Sequence, residues 1–182
     1  MDYERLFMAC LLVSPAASAA EITAPINVAE KHGVGAAVGI MRIVETAFGL
    51  AFYPALKELS QVLHCFHIHE KPSCTFSKKE GVKVSALAAG GHFYPKVSKN
   101  HVEPWGEGRL EDLPALYVAT EGISVSSAHA PRFKVFDVRN RVTMIHGGRS
   151  NHSDYLMPLG DGGARVACGV IDRQPSSQML SP

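Results

Sequence analysis

The sequence predicts an all-β domain, a sandwich or a barrel. Three observations carry this. Apolar residues come in short runs, some strictly alternating, with no sustained helical period. Gly, Pro, Asn and Asp punctuate those runs at short intervals. The chain has 182 residues, one ordinary domain's length, with no internal repeat.

The first run, 22–28, alternates Ile22, Ala24, Ile26 and Val28 with Thr23, Pro25 and Asn27, as a half-buried strand does. Runs 36–44 and 49–53 follow, separated by turn residues. Run 62–69 ends in His67-Ile68-His69. Runs 115–120 and 123–127 flank Glu121-Gly122, and runs 142–145 and 166–171 complete the set. Two stretches between strands, 70–113 and 147–164, are long, polar and rich in Gly and Pro. Loops of this length in a compact domain are usually functional or tied down. The polar tail 172–182 reads as a frayed end.

Composition excludes several classes of protein. The chain carries 18 Lys+Arg against 17 Asp+Glu, a formal net charge of +1, so it lacks the basic excess of a nucleic-acid binder. Hydrophobic content of 46% is too high for a disordered chain. No apolar stretch is long enough for a membrane span. The run Leu6 to Val13, preceded by Arg5 and followed by small residues, reads as a signal peptide over 1–19, with Ala17-Ser18-Ala19 as the cleavage site. The mature domain would then be 20–182, and its cysteines would meet an oxidising compartment. Cys10 leaves with the signal. Cys65, Cys74 and Cys168 remain, an odd number, which allows one disulfide and one further thiol.

The histidines carry the chemistry. In a strand, residues two apart share a face, so His67 and His69 present two imidazoles together. Alone, this spacing is weak. His92 after Gly90-Gly91, His101 in a polar loop, and His146 before Gly147-Gly148 strengthen it. Imidazole suits copper and zinc, and zinc also accepts Asp. His32 and His129 read as exposed bystanders, and His152 as a loop residue.

Six stretches, in order along the chain, resemble the bacterial, periplasmic branch of the copper/zinc superoxide dismutases. They are Phe66-His67-Ile68-His69-Glu70-Lys71-Pro72-Ser73-Cys74, Ala88-Ala89-Gly90-Gly91-His92-Phe93, Asp112-Leu113-Pro114-Ala115-Leu116, Met144-Ile145-His146-Gly147-Gly148, Asn151-His152-Ser153-Asp154, and Gly162 through Ile171. The resemblance implies an eight-stranded Greek-key β-barrel with two long metal-site loops. It implies that His67, His69, His92 and His146 bind copper, that His92 bridges to zinc, and that His101 and Asp112 are further zinc ligands. It implies a disulfide between Cys74 and Cys168, and a structural role for His64 in bonding the backbone. Superoxide would be the substrate, converted to O₂ and H₂O₂ by Cu(II)/Cu(I) cycling. Arg165 would draw in the anion, and His92 would act as ligand and general acid. The location would be periplasmic, and bacterial relatives are often homodimers.

The sequence departs from the family inside these motifs. Arg109 stands where a third zinc histidine is usual, and a guanidinium has no lone pair to give. Ser150 replaces an aspartate that orients one copper and one zinc histidine. Arg149, Glu103 and Glu111 stand at glycine positions, and Tyr94 replaces the usual Asp or Asn. Cys65 replaces a glycine beside the copper strand. The expected zinc site is therefore weakened, while the copper ligands are intact. Two alternatives accompany the enzyme: a non-enzymatic periplasmic copper-binding barrel and an inactive relative. A metal buffer would have no use for Arg165, whereas the motif departures favour the inactive relative.

Overall fold

A computed structural model of the chain describes residues 19–93, 113–148 and 163–171. Residues 1–18 of the expected signal peptide (1–19), His101, Arg109, Asp112 and Ser150, together with Tyr94, Glu103, Glu111 and Arg149, lie outside them.

The strands are β1 (Glu21–Glu30), β2 (Gly33–Thr46), β3 (Gly49–Leu56), β4 (Leu63–His64), β5 (Phe66–His69), β6 (Ser77–Lys79), β7 (Val82–Val84), β8 (Leu116–Tyr117), β9 (Ala128–Ala130), β10 (Val142–His146) and β11 (Arg165–Val170). A single helical turn, α1 (Val135–Val138), precedes β10. Seven strands form one antiparallel sheet in the order β5-β10-β11-β1-β2-β3-β9. β4 leads directly into β5 and pairs with β8. Beyond β8, Ala119 N–H bonds Ile123 O at 2.8 Å, and Ser124 exchanges two bonds with Leu56 of β3. These bonds curl the sheet back to β3. With β8 added to the seven, the ring has eight strands, and the crossovers from β3 to β4 and from β9 to β10 are those of a Greek key.

Alternation in sequence becomes inside and outside. Ile22, Ala24 and Ile26 of β1, Met41 and Ile43 of β2, Phe52 of β3, Phe66 and Ile68 of β5, and Ile145 of β10 point into one buried core. Phe52 and Phe66 meet edge-on inside it, ring centroids 5.4 Å apart. Gly169 of β11 faces β1, where a Cβ would come within 2.4 Å of Ile26, so only glycine fits.

The opposite face of the same strands carries the chemistry. Cys65, His67 and His69 alternate with inward Phe66 and Ile68, and on β10 Met144 and His146 alternate with inward Ile145. A second, smaller apolar cluster lies on this outer face: Ala29, Cys74, Ala86, Ala89, Val142, Met144 and Cys168. It seats the long segment after β5 against the barrel wall. The Cys74–Cys168 disulfide, with Cα atoms 5.7 Å apart, ties the same segment to β11.

Within that segment the structure adds two features to the predicted long loop. β6 and β7 form a hairpin around Glu80 and Gly81, both at positive φ. A 3-10 turn, Leu87–Ala89, leads to Gly90.

Candidate metal centre

Four imidazoles converge on the outer face of the barrel. His67 and His69 come from β5, and His146 from the end of β10. His92 comes from the long segment, which adds to the β5 edge: Phe93 N–H bonds Ile68 O at 2.9 Å, and Glu70 N–H bonds Gly91 O at 3.2 Å. All four are buried, and their ligating atoms lie within 4.8 Å of one another. Register explains the approach. Met144 is opposite His67 in the β5–β10 pair, so His146 lies one outward position further along β10. A bulge between β10 and β11 sets Arg165 opposite His146.

Hydrogen bonding fixes two of the tautomers. His69 Nδ1 is 3.1 Å from Gly90 O, and His146 Nδ1 is 3.4 Å from Gly163 O. Carbonyls only accept, so each Nδ1 carries the proton and each Nε2 presents a lone pair. The two Nε2 atoms lie 3.4 Å apart. Two lone pairs facing each other in a buried site repel unless a cation lies between them. Protonation does not supply it. Burial first, then the neighbouring histidines and Arg165, push His69 down to about 2. Burial and His92 push His146 down to about 4. Neutral, converging imidazoles are a donor set that fits copper.

Arg165 is anchored beside this cluster. Its guanidinium donates to Ala86 O at 2.7 Å and Gly90 O at 2.8 Å. Both acceptors have left-handed or glycine-only backbones: Ala86 has φ 49° and Gly90 has φ 77°. Gly90 O thus orients both a histidine and the arginine. His64 occupies the inner side, with Nδ1 at 2.6 Å from His146 O and Nε2 at 2.8 Å from Ser60 O. It bonds backbone, as the resemblance implies.

The structure therefore gathers His67, His69, His92, His146 and Arg165. It leaves His32 and His129 exposed and apart, as expected. Sequence reasoning missed Arg141. Its guanidinium lies 3.3 Å from the centroid of Phe93, beside His92, and donates to Glu70 O, beside His69, at 3.2 Å. No motif marks it. The Ala86 and Gly90 carbonyls were also missed, with only Gly90-Gly91 as a hint.

A model of the copper/zinc superoxide dismutases matches residues 37–171. The chain belongs to the copper/zinc superoxide dismutase family. A copper/zinc superoxide dismutase of Haemophilus ducreyi is 44% identical over 153 residues, 83% of this chain and 77% of that one. The solved enzyme from Brucella abortus superposes with a TM-score of 0.80 at 40% identity, covering 84% of this chain and 99% of that one. A monomeric copper, zinc superoxide dismutase from Salmonella enterica superposes with a TM-score of 0.74 at 45% identity, over 84% of this chain and all of that one. Copper and zinc are thus the metals expected here.

Proposed function

We propose that this chain is a superoxide dismutase whose copper is held by His67, His69, His92 and His146. The observation that carries the reading is the buried cluster of four histidines beside the anchored guanidinium of Arg165. Copper, when bound, supplies a one-electron couple that oxidises one superoxide to O₂ and reduces the next to H₂O₂. The chain's residues do the rest. Arg165 attracts and orients the anion through its donor fork. The His92 ring nitrogen that faces copper would carry a proton whenever it is not bound to the metal and would give it to the reduced product, with water supplying the second proton.

Zinc would be held by His92, His101 and Asp112, with Arg109 in place of a fourth ligand. A structural zinc site normally closes with four, so this site is weak. Arg109→His is expected to raise zinc affinity in a titration of the copper-loaded protein. An unchanged isotherm would contradict the three-ligand account.

The assigned compartment is the periplasm, reached through cleavage of residues 1–19 from a 20–182 domain. The Cys74–Cys168 disulfide supports it, since such bonds persist in oxidising compartments. Metal content measured with dismutase activity tests the whole reading. Copper with activity marks the enzyme, copper without activity marks a metal buffer, and neither marks an inactive relative.

A further inference from the structure

We propose that Cys65 is a positioning residue of the copper centre, whose thiol holds the His67 ring by a hydrogen bond at one nitrogen and leaves the other for the metal. The inference rests on the copper reading above. His69 and His146 each have one ring nitrogen against a backbone carbonyl. For His67 the corresponding neighbour is a side chain: Cys65 Sγ lies 3.1 Å from Nε2 and 3.6 Å from Nδ1.

Cys65 is well placed for this. It is fully buried and stands outside the disulfide. Its strand position puts it on the outer face in one row with His67 and His69. Its main chain is fixed on both sides: Cys65 N–H bonds Gly148 O at 2.9 Å, and His146 N–H bonds Cys65 O at 2.8 Å. The backbone from which the sulfur projects is therefore held in place. The four-histidine group gathered within 4.8 Å does not include it, and the role inferred is to hold a ligand. A thiol accepts as well as donates. With the metal on Nδ1, the neutral ring keeps its proton on Nε2 and donates it to sulfur. Partners of this kind fix ring orientation and typically change metal affinity ~10–100-fold.

The test uses the full folded chain stripped of metal, with Cu(II) titrated against a competing chelator and the electron paramagnetic resonance spectrum recorded. Cys65→Ala is expected to weaken copper binding ~10–100-fold and alter the spectrum, and Cys65→Ser, whose hydroxyl also accepts, to restore both to within ~3-fold of the parent. A packing role gives the reverse order, with alanine tolerated and buried serine harmful, and would overturn the proposal. So would a sulfur-to-copper charge-transfer band in the parent that both variants lose. If alanine prevents folding, nitrogen-15 resonances of the parent loaded with Cu(I) decide. A proton on His67 Nε2 is expected, and a proton on Nδ1 contradicts the proposal. A parent that binds no copper at all overturns the copper reading itself, which separates the two failures.

Discussion

Arg165 is the residue on which attraction of the substrate turns. It sits at the start of β11, opposite His146, with two of its donors already committed to Ala86 O and Gly90 O. Those bonds fix the plane of the guanidinium and leave its charge beside the histidines. Replacing it with alanine is expected to lower the second-order rate with superoxide ~10–100-fold, within the range attributed to electrostatic focusing. Copper content should be unchanged, and the salt dependence of the rate should flatten. A stopped-flow series in rising salt checks both. The histidines make a second residue-scale prediction for the metal-free protein. His69 and His146 are held well below the ordinary histidine value of 6.5, mainly by burial. Below that value the unfolded chain takes up protons that the folded chain refuses, so stability falls as pH falls. Each histidine contributes a slope of about 1.4 kcal/mol per pH unit at full effect. His146 stops contributing near pH 4, while His69 continues towards 2. Urea unfolding of the metal-free protein between pH 7 and 4.5 measures this, and a flat profile would contradict it.

Among the elements, the segment between β5 and β8 decides whether the site exists. It carries His92, Gly90 and Ala86, and the regular structure among its described residues is limited to the β6–β7 hairpin and one 3-10 turn. Three devices hold it: the small apolar cluster on the outer face, the disulfide to β11, and edge pairing with β5. The disulfide closes a separation of 94 residues. Reducing it, or changing Cys74 to Ser, is expected to cost about 2–5 kcal/mol of stability. It should also weaken copper binding, because His92 and the Arg165 acceptors lose their tether. Calorimetry with and without reductant, followed by copper titration, checks this. Reduction that leaves copper affinity intact would show that packing and edge pairing suffice. Most long strands were legible in the sequence, because alternation such as Ile22-Thr23-Ala24 maps directly onto the two faces of a sheet; β9 was not, since run 123–127 forms only the isolated bridge at Ser124 and the strand begins at Ala128. The β6–β7 hairpin and α1 were not. Both are too short to show a period, and the Glu80-Gly81 turn carries its signal in backbone angles rather than in residue pattern.

For the whole molecule, the barrel acts as a rigid wall with chemistry on its outside. The apolar side chains of β1, β2, β3, β5 and β10 fill the interior, and this frees alternate residues of β5 and β10 to face the metals. The ligand histidines were legible because their motifs are local. Their mutual approach was not, since it depends on the β5–β10 register and on the segment that returns His92 to the β5 edge. Arg141 and the carbonyl acceptors depend in the same way on contacts between elements distant in sequence, whereas Cys65 meets His67 only two residues away. On the proposed reading, this wall presents one catalytic copper site. Titration of metal-free protein with copper alone, with dismutase activity measured at each addition, is the decisive measurement. Activity is expected to rise linearly and level off at about one copper per chain, the occupancy of a single four-histidine site. Fully copper-loaded protein with no dismutase activity would contradict the claim.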